Sequence, residues 1–318
     1  MPPPRAHLEG TLQLLKRLEA VSGRHPCAPP LWSFLNRPQD LPRHVQPELA
    51  TFKYDAYLAC RPNHLAWGVA VSDRFEGIGM LPPLKQLITD MGGQYDLQPA
   101  LSLREALGRG ELVVSVGFDH PTQPPRIKLY LQETTWGAGL GCSDILHPML
   151  TQAAPDCVLP PWCADRDVGV VTVSLHPDGH RQLKVYFGGP SPAAAAAGAP
   201  ASVQPLVRQM TTTSPLRGGW YYLTVRCLPG ARWRYAINKI YNPVQIGFTT
   251  EQPGPSEAWN DVASLFQQAG THENLNALYR ALRGSGLLAL PTATALEGQG
   301  DQTDIYLAAW SRMQKATG

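Results

Sequence analysis

The sequence predicts an α+β fold, in which a ten-stranded antiparallel barrel with a solvent-accessible lumen is surrounded by helices. Three observations support this fold: five segments each read as two strands joined by a turn, helical patterns lie between them, and four of the second strands carry a tyrosine at a matching point. The chain has 318 residues, of which 43% are hydrophobic, 29 are glycine and 31 are proline. This composition excludes a disordered protein and favours many turns and short strands over long helices.

The predicted elements follow one another as five repeats. The hairpins are expected in the ranges 50–72, 111–132, 168–188, 219–242 and 286–310. Helical patterns are found at 8–21, 83–91, 102–107, 144–153, 203–210, 257–268 and 273–282. A low-complexity stretch at 188–202, which contains five consecutive alanines, predicts a surface loop inside one repeat. No segment divides the chain, so residues 1–318 are predicted to form a single domain.

The matching tyrosines lie in the second strand of four successive hairpins. They are Tyr130, Tyr186, Tyr241 and Tyr306. A lysine precedes three of them by two residues, at Lys128, Lys184 and Lys239. Lysine and tyrosine are both too rare in this chain for three such pairs in register to arise readily by chance. The pattern therefore indicates a repeated structural role.

The lysine and the tyrosine of each pair are expected on one face of their strand. Because side chains alternate between two faces, Lys128 and Tyr130 share one face and their apolar neighbours Ile127 and Leu129 share the other. The apolar face requires cover from helices, and an antiparallel sheet of about ten strands tends to curl or close. Closure puts the polar face inside, where about ten strands leave a real cavity.

A lumen with basic and aromatic side chains predicts a site for a multiply charged anion such as a diphosphate. The basic residues expected there are Arg126, Lys128, Lys184, Arg226 and Lys239. The neighbouring tyrosine faces attract cations, with a contribution of up to about 2 kcal/mol each when desolvated. This combination suits the ionisation of an allylic diphosphate, because the cations stabilise the departing pyrophosphate and the rings shield the carbocation from water.

With these residues the chain resembles the aromatic prenyltransferases of the ABBA fold, or PT barrel, which is built of five α-β-β-α repeats. The resemblance is carried by Arg126-x-Lys128-x-Tyr130, by residues 173–187 and by Lys239-x-Tyr241. It is closest to the dimethylallyltryptophan synthase branch and to the shorter prenyltransferases of ribosomal cyclic peptides, which are enzymes of secondary metabolism. It implies that the basic residues bind the prenyl diphosphate and that the four tyrosines cap the cation.

The resemblance also implies a carboxylate near the first strand that hydrogen-bonds the acceptor and takes its proton. Glu48 looks like the family's strand-opening glutamate. Strict alternation instead puts Asp55 on the polar face, together with Lys53 and Tyr57. Both carboxylates remain candidates for the base, beside the alternative that neither takes this role.

The second strand departs from the family, which often has an inward arginine there. This chain has Ala66, Gly68 and Ala70 at such positions. One phosphate ligand is therefore missing or is supplied by Arg61. The small residues also widen one wall, which leaves room for a donor longer than five carbons.

The predicted function is an aromatic prenyltransferase that moves a dimethylallyl or geranyl group from its diphosphate to an electron-rich acceptor. The acceptor is an indole such as tryptophan, another aromatic small molecule or an aromatic side chain of a peptide. The resemblance implies no required cofactor, with Mg²⁺ only as a counter-ion of the diphosphate. The alternative is a non-catalytic barrel that binds an amphipathic anion such as an isoprenoid phosphate.

Other classes are disfavoured by charge and composition. The 27 basic residues nearly balance the 25 acidic ones, so no long-range field recruits nucleic acid or an anionic membrane. The chain lacks an apolar stretch of about 18 residues and a signal-peptide core, which predicts a cytoplasmic protein. A near match to the magnesium motif of terpene cyclases at 260–268 ends in Gln268 instead of a carboxylate, so a metal site is not expected there.

Overall fold

The structure is a computed structural model. It describes residues 4–35, 54–61, 64–72, 81–98, 101–102, 112–120, 122–132, 157–214, 216, 218–228, 232–241, 257–283, 285–298 and 302–311. The predicted helix at 144–153 and the candidate base Glu48 lie outside these residues, as does nearly all of the predicted helix at 102–107.

The described part of the chain forms ten strands that pair as an antiparallel sheet. The strands are β1 Tyr54–Arg61, β2 His64–Ser72, β3 Leu112–Phe118, β4 Arg126–Gln132, β5 Val170–Leu175, β6 Arg181–Gly189, β7 Trp220–Leu228, β8 Arg232–Ile240, β9 Leu287–Glu297 and β10 Gln302–Ser311. Strands adjacent in sequence pair with one another, and β1 also pairs with β10, so the sheet curls round and closes on itself. The predicted curled antiparallel sheet with helices packed on it is confirmed.

Seven helices of the described residues accompany the sheet. They are α1 Pro4–Ser22, α2 Ala28–Leu35, α3 Leu81–Asp90, α4 Pro192–Ala195, α5 Gln204–Thr213, α6 Glu257–Gln268 and α7 His272–Leu282. Apolar periodicity predicted α1, α3, α5, α6 and α7 close to these bounds. The helix α2 was not predicted, because two prolines at its start, Pro29 and Pro30, read as turn residues.

The hydrophobic core lies between the helices and the outer face of the sheet. Leu14, Leu15 and Leu18 of α1 are fully buried, and α1 packs against β2 and β10. On the strands, the buried apolar residues alternate with the lumen residues, as Leu183 and Val185 do on β6. The apolar face therefore points outward to the helices, and the polar face lines the lumen.

The stretch at 188–202 is not the surface loop that its composition predicted. It contains α4 and a short 3-10 helix at Ala201–Val203, and Ala195 and Ala196 are buried in a cluster with α5 and β7. A Cβ atom on Gly189 would lie 2.6 Å from the backbone nitrogen of Ala195. The small residues thus allow the chain to pack closely on β6.

Candidate active site

Four basic side chains lie on the lumen face of β4, β6 and β7, in the half of the barrel nearest the β3–β4, β5–β6 and β7–β8 turns. This cationic row consists of Arg126, Lys128, Lys184 and Arg226. Lys184 lies opposite Arg226 across the β6–β7 pair, and Lys128 is only 3% exposed. The predicted positions of these four residues agree with the structure. Burying several cations together is costly unless anions face them, so the row is suited to bind a multiply charged anion.

Two carboxylates form salt bridges with the ends of the cationic row. Arg226 Nη2 lies 2.6 Å from Glu297 Oε2, and Arg126 Nη2 lies 2.6 Å from Asp119 Oδ2. Glu297 is on β9 and is almost completely buried. Each carboxylate holds the guanidinium group of its own arginine in a fixed orientation at the lumen wall.

Lys184 has a strongly perturbed pKa. Burial lowers its pKa well below the ordinary lysine value, and the neighbouring positive charge of Arg226 lowers that pKa further. Glu297 opposes this change only in part. An anion bound beside Lys184 would favour its protonated form.

A series of aromatic rings lines the same strands farther from those turns. This aromatic row consists of Tyr130, Tyr186, Tyr222 and Trp220. The ring centroids of Tyr130 and Tyr186 are 6.4 Å apart, and those of Tyr186 and Tyr222 are 6.2 Å apart. Tyr222 and Trp220 follow at 6.4 Å, and Trp220 is 45% exposed. The rings form a continuous aromatic wall directly beside the cationic row.

Tyr186, in the middle of this wall, is held in its neutral form. Burial raises the pKa of Tyr186 well above the ordinary tyrosine value, and Tyr130 raises it further. Tyr130 and Tyr186 are nevertheless only partly buried, whereas the outward neighbours Leu129 and Val185 are almost completely buried. The barrel is therefore not filled solid at this level.

Gly188 allows Trp220 to lie against the lumen wall. A Cβ atom at Gly188 would be 2.8 Å from Nε1 of the Trp220 indole, closer than real side chains approach. A larger residue at this position would push the indole away from Tyr222. Sequence reasoning did not identify this contact, because it joins two strands.

The opposite wall of the lumen carries small residues. Ala66 and Gly68 are buried on β2, and Gly68 lies opposite Gly117 of β3. Tyr306 of β10 packs against Ala66, so the fourth predicted tyrosine lies in the lumen. The prediction of small residues at this wall agrees with the structure.

Lys239 and Tyr241 do not face the lumen, so their predicted position is wrong. In the β7–β8 register, the lumen residue Tyr222 lies opposite Asn238, and Lys239 lies opposite Tyr221 on the outer face. Lys239 is therefore on the opposite face of the sheet from the lysines of β4 and β6, and Tyr241 follows directly after the end of β8.

The two outward residues form a buried polar cluster with α6. Lys239 Nζ lies 3.0 Å from Asp261 Oδ2 and also donates a hydrogen bond to Ser214 Oγ at 2.6 Å. The Tyr241 hydroxyl donates to the same Asp261 oxygen at 2.9 Å. Lys239 and Asp261 are both completely buried. Asp261, which belongs to the near match to a magnesium motif, is thus the counter-ion of a lysine.

For three predicted site residues, the structure does not describe the position of the side chain. Asp55 and Arg61 lie in β1, where their backbones pair with Ala70 and His64, but their side chains are outside what the structure describes. Glu48 lies outside the described residues altogether. The identity of the base therefore stays a prediction.

Sequence reasoning did not include Glu297, Tyr222 and Trp220 among the site residues. Tyr222 could have been found, because it shares a strand face with Arg226 and Thr224. Glu297 could not have been found without the β8–β9 register, which places it opposite Ala236 on the lumen face.

The described residues contain neither a cluster of metal ligands nor a helix that could span a membrane. None of them form a group of three or more histidines, cysteines, aspartates or glutamates that would hold a metal ion. Within the same ranges no helix has the length and apolar character to span a membrane.

Comparison with known proteins gives matches at the level of structure alone. No family model matches the chain, and no curated protein sequence matches it. Among solved structures, 5-dimethylallyl tryptophan synthase from Streptomyces coelicolor in complex with DMASPP and Trp superposes with a TM-score of 0.63, at 17% identity over 97% of this chain and 95% of that one. The prenyltransferase PriB, in a ternary complex with L-tryptophan and dimethylallyl thiolodiphosphate, superposes with a TM-score of 0.63, at 18% identity over 96% of each chain.

The chain has the fold of the aromatic prenyltransferases. A third example of this ABBA fold, AnaPT from Neosartorya fischeri, matches at 10% identity with a TM-score of 0.58 over 98% of this chain and 96% of that one. The matches extend over almost the whole chain, so the shared fold is not limited to one part of it.

Proposed function

We propose that this protein is an aromatic prenyltransferase, which transfers a dimethylallyl or geranyl group from its diphosphate to an electron-rich aromatic acceptor. The observation that carries the proposal is that the cationic row and the aromatic row lie directly beside each other in one lumen. The cationic row provides charge for a diphosphate, and the aromatic row begins one lumen position along the same strands, from Lys184 to Tyr186 and from Lys128 to Tyr130. The ABBA fold supports the same reading.

The proposed reaction begins with ionisation of the donor. The C–O bond to the diphosphate breaks, its electron pair stays with the pyrophosphate, and the negative charge that develops is stabilised by Lys128, Lys184 and the two arginines. The faces of Tyr130, Tyr186 and Tyr222 stabilise the allylic cation and exclude water from it. An aromatic carbon, oxygen or nitrogen of the acceptor attacks the cation, and a carboxylate takes the proton that is displaced.

For the base and for the acceptor, we propose two candidates each. Glu48 and Asp55 remain the two candidates for the base. Tryptophan or another indole is the favoured acceptor, and a peptide aromatic side chain is the second. We propose no metal requirement, because the positive charge needed by the diphosphate is present in the protein itself. We also propose that residues 1–318 form one domain of five α-β-β-α repeats.

The proposal is tested by chemical turnover. Wild-type protein is incubated with dimethylallyl or geranyl diphosphate and with tryptophan, tyrosine or short aromatic peptides, in the presence of EDTA or of Mg²⁺. Mass spectrometry is expected to show an acceptor that has gained one prenyl group. Retention of the donor with no prenylated product from any acceptor would favour the alternative, a barrel that only binds an isoprenoid phosphate.

Replacement of Tyr186 by alanine is expected to change the products more than the rate of donor ionisation. Tyr186 lies between Tyr130 and Tyr222, so its loss opens the middle of the aromatic row to water. The ratio of prenyl alcohol to prenylated acceptor should rise several-fold, as measured by chromatography of both products. Tyr186→Phe keeps the aromatic face and serves as the control. An unchanged ratio in Tyr186→Ala would contradict the shielding role.

Binding of the donor is expected to be coupled to proton uptake by Lys184. In the free protein the pKa of Lys184 is lowered, so rising pH removes its proton before it would leave an exposed lysine. The bound diphosphate raises that pKa again, and donor affinity therefore falls as pH rises above the pKa of the free protein. Calorimetry in two buffers of different ionisation enthalpy measures the proton uptake. The Lys184→Met variant should take up fewer protons; equal uptake by both proteins would rule out this coupling.

A further inference from the structure

Two buried hydroxyl groups lie on either side of Lys128. Ser115 of β3 and Ser174 of β5 are the residues directly opposite Lys128 on its two neighbouring strands. Ser115 is 1% exposed and Ser174 is 0% exposed. Residues opposite one another in antiparallel strands have their Cβ atoms about 5 Å apart, so the two serines flank the base of the Lys128 side chain on one patch of the lumen wall.

Neither hydroxyl has a hydrogen-bond partner among the described residues. A buried polar group with no partner destabilises a protein, so such groups are rare unless a ligand or a water completes them. Two of them on one lumen patch, on either side of a buried cation, are difficult to attribute to packing. Serine at these positions also fills less space than the valines that flank Ser115.

The wall beside Ser115 is built from residues with a small side chain or none. Gly117 lies two residues farther along β3, and Ala66 and Gly68 line β2 next to it. No side chain larger than a methyl group is present at these three buried positions. Both hydroxyls are covered in the free protein, so an anion reaches them only when the flexible side chain of Lys128 shifts to bind it.

We propose that Ser115 and Ser174 are ligands of the donor diphosphate, each donating its hydroxyl hydrogen to a phosphate oxygen held by Lys128. The inference rests on the proposed function, because it assigns neutral ligands to the anion of that reaction. The two hydroxyls form directional hydrogen bonds with the phosphate, whereas the lysines attract it mainly by their charge. They fix the position of the diphosphate relative to Lys128, and so the position of the attached prenyl group relative to Tyr130.

The test uses Ser115→Ala, Ser174→Ala and the double variant, with inorganic pyrophosphate and dimethylallyl thiolodiphosphate as probes in titration calorimetry. Each single variant is expected to bind both probes about tenfold more weakly, as loss of a hydrogen bond to a charged group predicts. The melting temperature of the ligand-free variants should be unchanged or higher, because an unsatisfied buried hydroxyl has been removed. Thr11→Val on α1 is the matched control, since its hydroxyl is also buried and lacks a partner in the described residues but lies outside the barrel.

The outcomes separate this inference from the proposed function. Equal affinity of the serine variants and wild type, or a lower melting temperature without a change in affinity, would overturn the inference even if the wild type prenylates an acceptor. A third outcome is that the serine variants bind the probes more weakly, but the wild type yields no prenylated product. This result supports the inference and contradicts the proposed enzyme activity. Failure of the wild type to bind either probe would overturn both.

Discussion

Replacement of Lys184 by methionine is expected to lower kcat/KM for the prenyl diphosphate by a factor of about one hundred, and to leave the free protein at least as stable as the wild type. A charge-assisted hydrogen bond to a phosphate contributes about 1.5–3 kcal/mol, and its loss acts on both binding and ionisation. The lysine lies beside Arg226 in a buried position, where its charge is unfavourable without an anion. Methionine keeps the length of the side chain and removes that charge.

Steady-state rates at several donor concentrations and denaturant titration of the free protein measure these two effects. Lys85→Met serves as the control, because Lys85 is an exposed residue of α3 outside the lumen. It should retain both wild-type activity and wild-type stability. Full activity in Lys184→Met would count heavily against diphosphate binding by the cationic row.

Replacement of Lys239 by methionine is expected to produce the opposite result. The change leaves Asp261 completely buried with no cation beside it, which should cost about 3–5 kcal/mol of unfolding free energy. The affinity of the remaining folded protein for the donor should be unchanged, since Lys239 lies on the outer face of β8. Denaturant unfolding and titration with the donor separate the two quantities.

The double variant Lys239→Met/Asp261→Leu completes the test. Removal of both charges should recover most of the lost stability, because the cost comes from the unpaired carboxylate and not from the loss of the pair. A donor affinity that falls in Lys239→Met at wild-type stability would show that the lysine reaches the lumen after all. The two lysines share one sequence pattern, so the contrast between them tests the assignment of faces directly.

Much of the fold follows from alternation in the sequence. On β5 and β6 the apolar residues recur at every second position, which identifies the strands and also their outer face. On α6 the apolar positions recur with helical spacing, and the predicted bounds agree with the structure. These patterns are local, so they do not depend on knowledge of the partner strand.

The face of β8 could not be derived in this way. Its residues include Ile237 and Lys239 on one face and Ala236 and Asn238 on the other, so neither face is clearly apolar. The matching spacing of lysine and tyrosine therefore suggested a lumen position. The buried carboxylate of Asp261, which decides the orientation, lies on a helix that follows later in the chain. Spacing within one strand contains no information about such a partner.

The candidate site was predicted best where several strands repeat one pattern. Lys128, Lys184, Tyr130 and Tyr186 come from such repeats and lie where they were expected. Glu297, Trp220 and Gly188 contribute to the site through contacts between strands that are distant in sequence. Their roles depend on register, which a single sequence does not fix.

The separation of charge and aromatic rings along the barrel axis has a kinetic consequence for the proposed reaction. A donor held by its diphosphate in the cationic row would extend its hydrocarbon chain along the rings, and the acceptor would stack beyond that chain instead of beside it. If both substrates enter through the end that carries Trp220, the acceptor can bind productively only after the donor, and pyrophosphate is the last product to leave. The geometry of the lumen would thereby impose a compulsory order of substrate addition without any conformational change of the protein.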